Sequence, residues 1–199
     1  MTETTNKTAR IRPLIIWPDP RLKTISTDVD EFNDELEQLA NDMYWTMAYQ
    51  RAIGLAAPQV GVFERVIVVQ QIFEQETNSE TNSTASPSYE TTEAPITLVN
   101  PVIVDSDNST FTWQEGCLSV PGYFEERERP NQIIVEYKDV HGIEHRDEFS
   151  GITSFCIQHE IDHLDGKCFV DDVSMLKREL IRRKIKAALR KRKIIQNSI

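Results

Sequence analysis

The sequence predicts an α+β domain. Short apolar runs of β character lie close together along the chain, at 66–69 with 96–104 and at 133–137 with 143–149. Helical periodicity appears instead at three separate points, near 31–50, 152–165 and 174–192. Strands beside strands, with helices set apart from them, make α+β rather than an alternating α/β architecture. At 199 residues, 39% hydrophobic and 27% charged, the chain is one domain's worth, expected to span 1–199 and to bury a core without disulfides or structural metal.

Taken in order, Leu14-Ile15-Ile16-Trp17 reads as a short strand stopped by Pro18-Asp19-Pro20. A helix over about 31–50 follows from Phe32, Leu36, Leu39, Met43 and Met47, with Asp28 or Asp30 as its cap. Ala52 to Gly61 is a run of small residues with a proline inside, and reads as a loop able to let something approach the backbone closely. Val66–Val69 is a buried-type strand, with Ile96–Val99 and Val102–Val104 as its antiparallel sequel. Between them, about 71–95 is an acidic insertion without glycine or basic residues, too polar for a core of its own and expected to form an extended, mobile hairpin loop. Ile133–Tyr137 and Ile143–Phe149 are strands turned at His141-Gly142. The central helix at 152–165 ends at Gly166, a C-terminal cap, and a last helix at about 174–192 carries Leu176, Leu180, Ile181, Ile185, Ala188 and Leu189 on one face.

Composition narrows the function classes. Cys117, Cys156 and Cys168 are an odd set in a chain too long to need stapling, which points to reduced thiols and a cytoplasmic setting. Met1–Arg12 is polar and no apolar run approaches the ~20 residues of a membrane span, so neither a signal peptide nor a membrane partner is expected. The net charge is −10, yet Lys177–Lys193 holds ten Lys or Arg against one Glu, so an acidic body carries a basic tail.

The chemistry centres on Gln158-His159-Glu160-Ile161-Asp162-His163. Histidines four residues apart project from one helical face and can grip one metal ion, with Glu160 beside it as a general base. Cys156 lies on the same face, but at a rise of ~1.5 Å per residue it stands ~7–8 Å down the axis from a metal held between the histidines. The third ligand must come from elsewhere, and Glu115-Gly116-Cys117-Leu118-Ser119 offers a thiolate next to a glycine. In the metzincin peptidase pattern HExxHxxGxxH, Gly166 fits but Phe169 stands at the final histidine, so a peptidase becomes the lesser alternative.

Together, Gly54-Leu55-Ala56-Ala57-Pro58-Gln59, Glu115-Gly116-Cys117-Leu118-Ser119 and Gln158-His159-Glu160-Ile161-Asp162-His163 closely resemble, in order, the three motifs of the peptide deformylases, over roughly residues 14–190. The resemblance implies the deformylase α+β fold, with antiparallel sheets around the metal-binding HExxH helix and a C-terminal helix. It implies a hydrolase removing the formyl group from the initiator methionine of nascent polypeptides. Carried over by residue, Cys117, His159 and His163 are the metal ligands and Glu160 the general acid and base. Gln59 and the Leu118 N–H stabilise the oxyanion, and Gly54 offers backbone hydrogen bonds to substrate. The implied cofactor is one Fe2+, with Zn2+, Ni2+ or Co2+ able to substitute. Ile53, Ile152, Phe155 and Cys156 are candidates for a methionine pocket, and Glu115 and Arg129 for partners behind the metal loop. Expected partners are N-formylmethionyl peptides and, through the basic helix, the ribosome near its exit tunnel; no DNA partner is expected. The chain departs from the pattern at Ala52, where the family has glycine, and in the 71–95 insertion. A catalytically idle relative remains a second alternative, although every residue the chemistry needs is present.

Overall fold

The computed structural model describes residues 8–74, 89–92 and 95–196. In chain order these form α1 (Asp34–Tyr49), β1 (Gly54–Ala56), β2 (Val66–Val69), β3 (Ile72–Glu74), β4 (Tyr89–Thr91), β5 (Ile96–Ser106), β6 (Thr110–Gly116), β7 (Phe124–Pro130), β8 (Gln132–Lys138), β9 (Glu144–Ser150), α2 (Gly151–Leu164) and α3 (Met175–Gln196). An antiparallel sheet runs in the order β1-β2-β5-β8-β9, and β3-β4 and β6-β7 are separate hairpins.

The sheet is apolar on both sides at its centre because a helix covers each. Val66 and Val68 of β2 face the α1 stripe of Leu36, Leu39, Met43 and Met47, while Ile67 and Val69 face Ile157, Ile161 and Leu164 of α2. Alternate side chains of a strand point to opposite faces, so a strand covered twice reads as an unbroken apolar run. Twelve residues of α2 are buried, including both histidines and Glu160. Gln158 ties this helix to β7 by donating from Nε2 to the Pro130 carbonyl at 2.9 Å.

Several local expectations change in the folded chain. Leu14–Trp17 joins no sheet: the Ile15 N–H donates to the Gln59 carbonyl and the Trp17 N–H to the Ser119 carbonyl, each at 2.8 Å. This segment therefore stitches together two loops of the site. The cap of α1 is Asn33, which accepts from the Glu35 and Leu36 N–H groups, rather than Asp28 or Asp30. The chain at Val29 is instead clamped to β5, where the Asn100 side chain bonds both the Val29 N–H and C=O.

Gly54–Ala56 is a strand and not a loop, pairing Gly54 with Val69 and Ala56 with Ile67. Leu55 and Ala56 are wholly buried, and a buried backbone must find its partners in a ladder. The β6-β7 hairpin is an addition, although the alternation of Thr110-Phe111-Thr112-Trp113 is a strand signal. Of the acidic insertion, Ile72–Glu74 pairs with Tyr89–Thr91, and 75–88 and 93–94 lie outside the described residues. The last helix runs to Gln196, and its buried stripe is narrower than expected. Ile181 and Ile185 pack with Trp17, Val120 and Phe169, whereas Leu176, Leu180 and Leu189 stay exposed.

Candidate metal centre and active site

The β6-β7 turn brings Cys117 over α2. One donor atom each from Cys117, His159 and His163 lies within 4.8 Å of the others, and Cys117 Sγ is 3.2 Å from His163 Nε2. The two imidazoles stand edge to face with centroids 4.9 Å apart, as residues one helical turn apart should. Cys156 is turned away, with Sγ 3.5 Å from the Ile53 carbonyl, in keeping with its short reach.

The donor set fits a transition metal on its own chemistry. Among the described residues, buried Glu160 Oε2, beside these donors, has no hydrogen-bond partner. Such an orphan is costly in a dry interior unless something else satisfies it. Burial pushes the Cys117 thiol up and the His163 imidazole down, so the pocket by itself disfavours charge, and a bound cation reverses that logic at the thiol.

Behind the donors sits an ion network that orients them. Burial would raise the Glu115 carboxyl, but contact with His159 Nδ1 and the Arg129 guanidinium holds it down at about 2. An ionised carboxylate only accepts, so Nδ1 carries the hydrogen and His159 Nε2 is left for a cation. Arg129 Nη2 also reaches Asp162 Oδ2 at 2.9 Å, joining β7 to α2. Glu115→Gln is expected to weaken metal affinity about 10- to 100-fold, read by chelator competition. An unchanged affinity would mean that packing alone orients the His159 ring.

The family model for polypeptide deformylase matches residues 11–179. The chain belongs to the polypeptide deformylase family. It is 41% identical over 187 residues to the peptide deformylase of Erythrobacter litoralis, covering 88% of this chain and 96% of that one. It is 42% identical over 176 residues to that of Brucella suis, covering 88% and 92%. Among solved structures, a Legionella pneumophila peptide deformylase superposes with a TM-score of 0.76 at 37% identity, covering 92% of this chain and 97% of that one. An Ehrlichia chaffeensis peptide deformylase in complex with actinonin gives 0.76 at 35% identity, covering 90% and 98%. The peptidase and idle readings therefore give way to an enzyme of this family. Phe169, where a metzincin has its third histidine, is buried against the His159 ring at 6.3 Å between centroids.

In this deformylase, Gln59 accepts from the Ala56 N–H at 2.8 Å through Oε1, which turns its Nε2 towards Ser119 Oγ at 3.3 Å and Cys117 Sγ at 3.5 Å. Burial raises the Glu160 carboxyl to about 7. Gly54 lies so close to it that a Cβ would collide with Glu160 Oε1 and stand 2.5 Å from Cys156 Sγ. Gly116, beside the cysteine, has a different reason: the ring of its cross-strand partner Phe124 lies where a Cβ would go.

One cavity of about 1240 Å³ contains Ile53, Gly54, Gln59, Leu118, Phe155 and Cys156 together with Cys117, His159 and Glu160. Ile152 is not among its walls. Two helical turns before His159, about 10 Å along the axis, it lines a second cavity beside Gln71, Ile72 and Phe73. Ala52 is on the wall of the first. Sequence reasoning missed Trp113 and Phe124, which also line it, and Cys168, which is buried beside Cys117 and acts on its thiol. For Cys168 no local pattern carried a signal.

Proposed function

We propose that this enzyme hydrolyses the formamide of N-formylmethionyl peptides, releasing formate and a free N-terminal methionine, with Cys117, His159 and His163 holding one transition metal ion. The observation that carries this reading is the convergence of that donor set with the unpartnered carboxylate oxygen of Glu160, beside a single cleft lined by Cys117, His159 and Glu160. A metal held by these three residues would acidify a water and polarise a substrate carbonyl, with the bound water's pKa brought to about 7. Glu160 takes the proton from the attacking water and returns it to the departing amine; a carboxyl lifted to about 7 by burial is suited to do both near neutral pH.

Negative charge then gathers on the formyl oxygen. The proposed donors to it are the Gln59 amide, its orientation fixed by the Ala56 N–H, and the Leu118 N–H. Gln59→Ala is expected to lose about 10²–10³ in kcat while keeping its metal; a near-normal kcat would remove Gln59 from the oxyanion role. Ile53, Phe155 and Cys156 supply apolar walls suited to a thioether, and β1, at the edge of its sheet, offers the Gly54 backbone to an extended peptide. The test is formate release from formyl-Met-Ala-Ser by protein purified without oxygen, with metal analysis. No release from metal-loaded protein would overturn the assignment.

The thiolate and two imidazoles suit a softer transition metal, and Fe2+ is the proposed occupant, with Zn2+, Ni2+ or Co2+ as substitutes. Cytoplasm is the proposed setting, since all three cysteines are free and a thiol ligand needs reducing surroundings. No helix among the described residues is long and apolar enough to cross a membrane. Ribosomal RNA near the exit tunnel is the proposed target of the basic α3. Because Ile181 and Ile185 are buried, deleting the helix would damage the core, so charge reversal is the cleaner test. Lys186→Glu with Arg190→Glu is expected to weaken ribosome co-sedimentation in a salt-dependent way. Unchanged binding would dispose of the idea.

A further inference from the structure

The cavity at the metal centre does not end at the methionine walls. The same continuous space is lined by Ile11 and Arg12 near the N-terminus and by Lys184, Ala188 and Leu189 of α3. Its volume of about 1240 Å³ exceeds the roughly 300–1,000 Å³ usual for a small-molecule site, more than a formylmethionine needs. Both outlying walls are firmly held. Arg10 and Arg12 donate backbone N–H groups to Asp42 Oδ1 and Thr46 Oγ1 at 2.9 Å, and Arg12 Nε reaches Asp42 Oδ2 at 3.0 Å. On the other side Ile181 and Ile185 anchor α3 in the core, the Arg182 guanidinium lies 5.4 Å from the Trp17 ring centroid, and Lys177 pairs with Glu125.

What these anchors leave facing the space is apolar and cationic. Ile11 is 47% and Leu189 42% exposed although both line one cavity, and Lys184 is an exposed cation on the cavity-lining face of α3, one turn before Ala188. Leu118 and Pro121, from the loop that starts at Cys117, line the cavity too and make it continuous with the donors. On a protein of net charge −10, the Lys184 ammonium at this rim favours an acidic partner, the Arg12 guanidinium being already paired with Asp42.

We propose that this outer groove, walled by Ile11 and Arg12 opposite Lys184, Ala188 and Leu189, reads the formyl peptide well downstream of its methionine, favouring apolar and acidic residues over polar and basic ones. The inference rests on the deformylase reading and extends its substrate class. Its occupant is the continuation of the substrate chain, because that chain is already fixed at the metal end of the same cavity. α3 is then a wall of the substrate site as well as a basic surface.

The test compares formyl-Met-Ala-Ser with two heptapeptides, formyl-Met-Ala-Ser-Leu-Glu-Leu-Glu and formyl-Met-Ala-Ser-Ser-Lys-Ser-Lys. The acidic, apolar heptapeptide is expected to show about tenfold higher kcat/KM than the basic one, through a lower KM at similar kcat. Lys184→Glu should shrink or reverse that ratio and Leu189→Ser should reduce it. Lys167→Glu, an exposed lysine outside the walls of the cavity, should retain it. Equal KM values for both heptapeptides in the unmodified enzyme, or a ratio untouched by Lys184→Glu and Leu189→Ser, would overturn the proposal. Formate from the tripeptide without any discrimination between heptapeptides would defeat this inference alone, whereas no formate from any peptide would defeat the deformylase reading beneath it.

Discussion

Replacing Glu160 by glutamine is expected to slow formate release from formyl-Met-Ala-Ser by about 10²–10⁴-fold, the usual worth of a positioned general acid and base. The substitution keeps the shape of the side chain and removes its capacity to shuttle a proton. Glu160 is 3% exposed, with Oε2 lacking any partner among the described residues, and burial lifts its carboxyl to about 7. Such a group is held ready to exchange a proton and serves no hydrogen bond of the scaffold through that oxygen. Metal content should stay at the level of the unmodified enzyme, because the donors are Cys117, His159 and His163. A Glu160→Gln protein with full metal and near-normal kcat would remove Glu160 from the proton-transfer role. Loss of metal together with activity would make it a ligand-supporting residue instead.

Gly54→Ala should follow closely in severity. The added methyl has no room: Glu160 Oε1 occupies its place and Cys156 Sγ is 2.5 Å away. Retreat of the backbone is opposed by the pairing of Gly54 with Val69, so the carboxylate and the thiol must move. A displacement of about 1 Å at a reacting group costs on the order of 10²-fold in rate. The loss is expected mainly in kcat, with a lowered thermal midpoint from crowding between β1 and α2. Unchanged kcat in a stably folded Gly54→Ala protein would show that the carboxylate tolerates such a shift.

The sequence alone determined the family and pointed to the residues now proposed to carry its chemistry. His159 and His163 are legible because a helix of known period converts their spacing into a shared face, with Glu160 next to them, and twelve buried residues show why that helix reads as apolar around them. The same rise per residue correctly left Cys156 out of reach, and the strands at 66–69, 133–137 and 143–149 follow from local apolar patterning. What pairs across the chain was not legible. Gly54–Ala56 looks like a loop until β2 supplies its ladder, and Leu14–Trp17 looks like a strand until its donors are spent on Gln59 and Ser119. Ile152 shares the helical period of His159, yet two turns of rise carry it to another cavity. Glu115 was singled out beside the metal loop, but its grip on His159, 44 residues away, forms only when β6 packs on α2, and Lys184 and Leu189 reach the cleft only because α3 docks on Trp17 and Val120. Local periodicity specifies which face a residue occupies; which other face it meets depends on burial and closure over long separations, and that was decided by the tertiary structure alone.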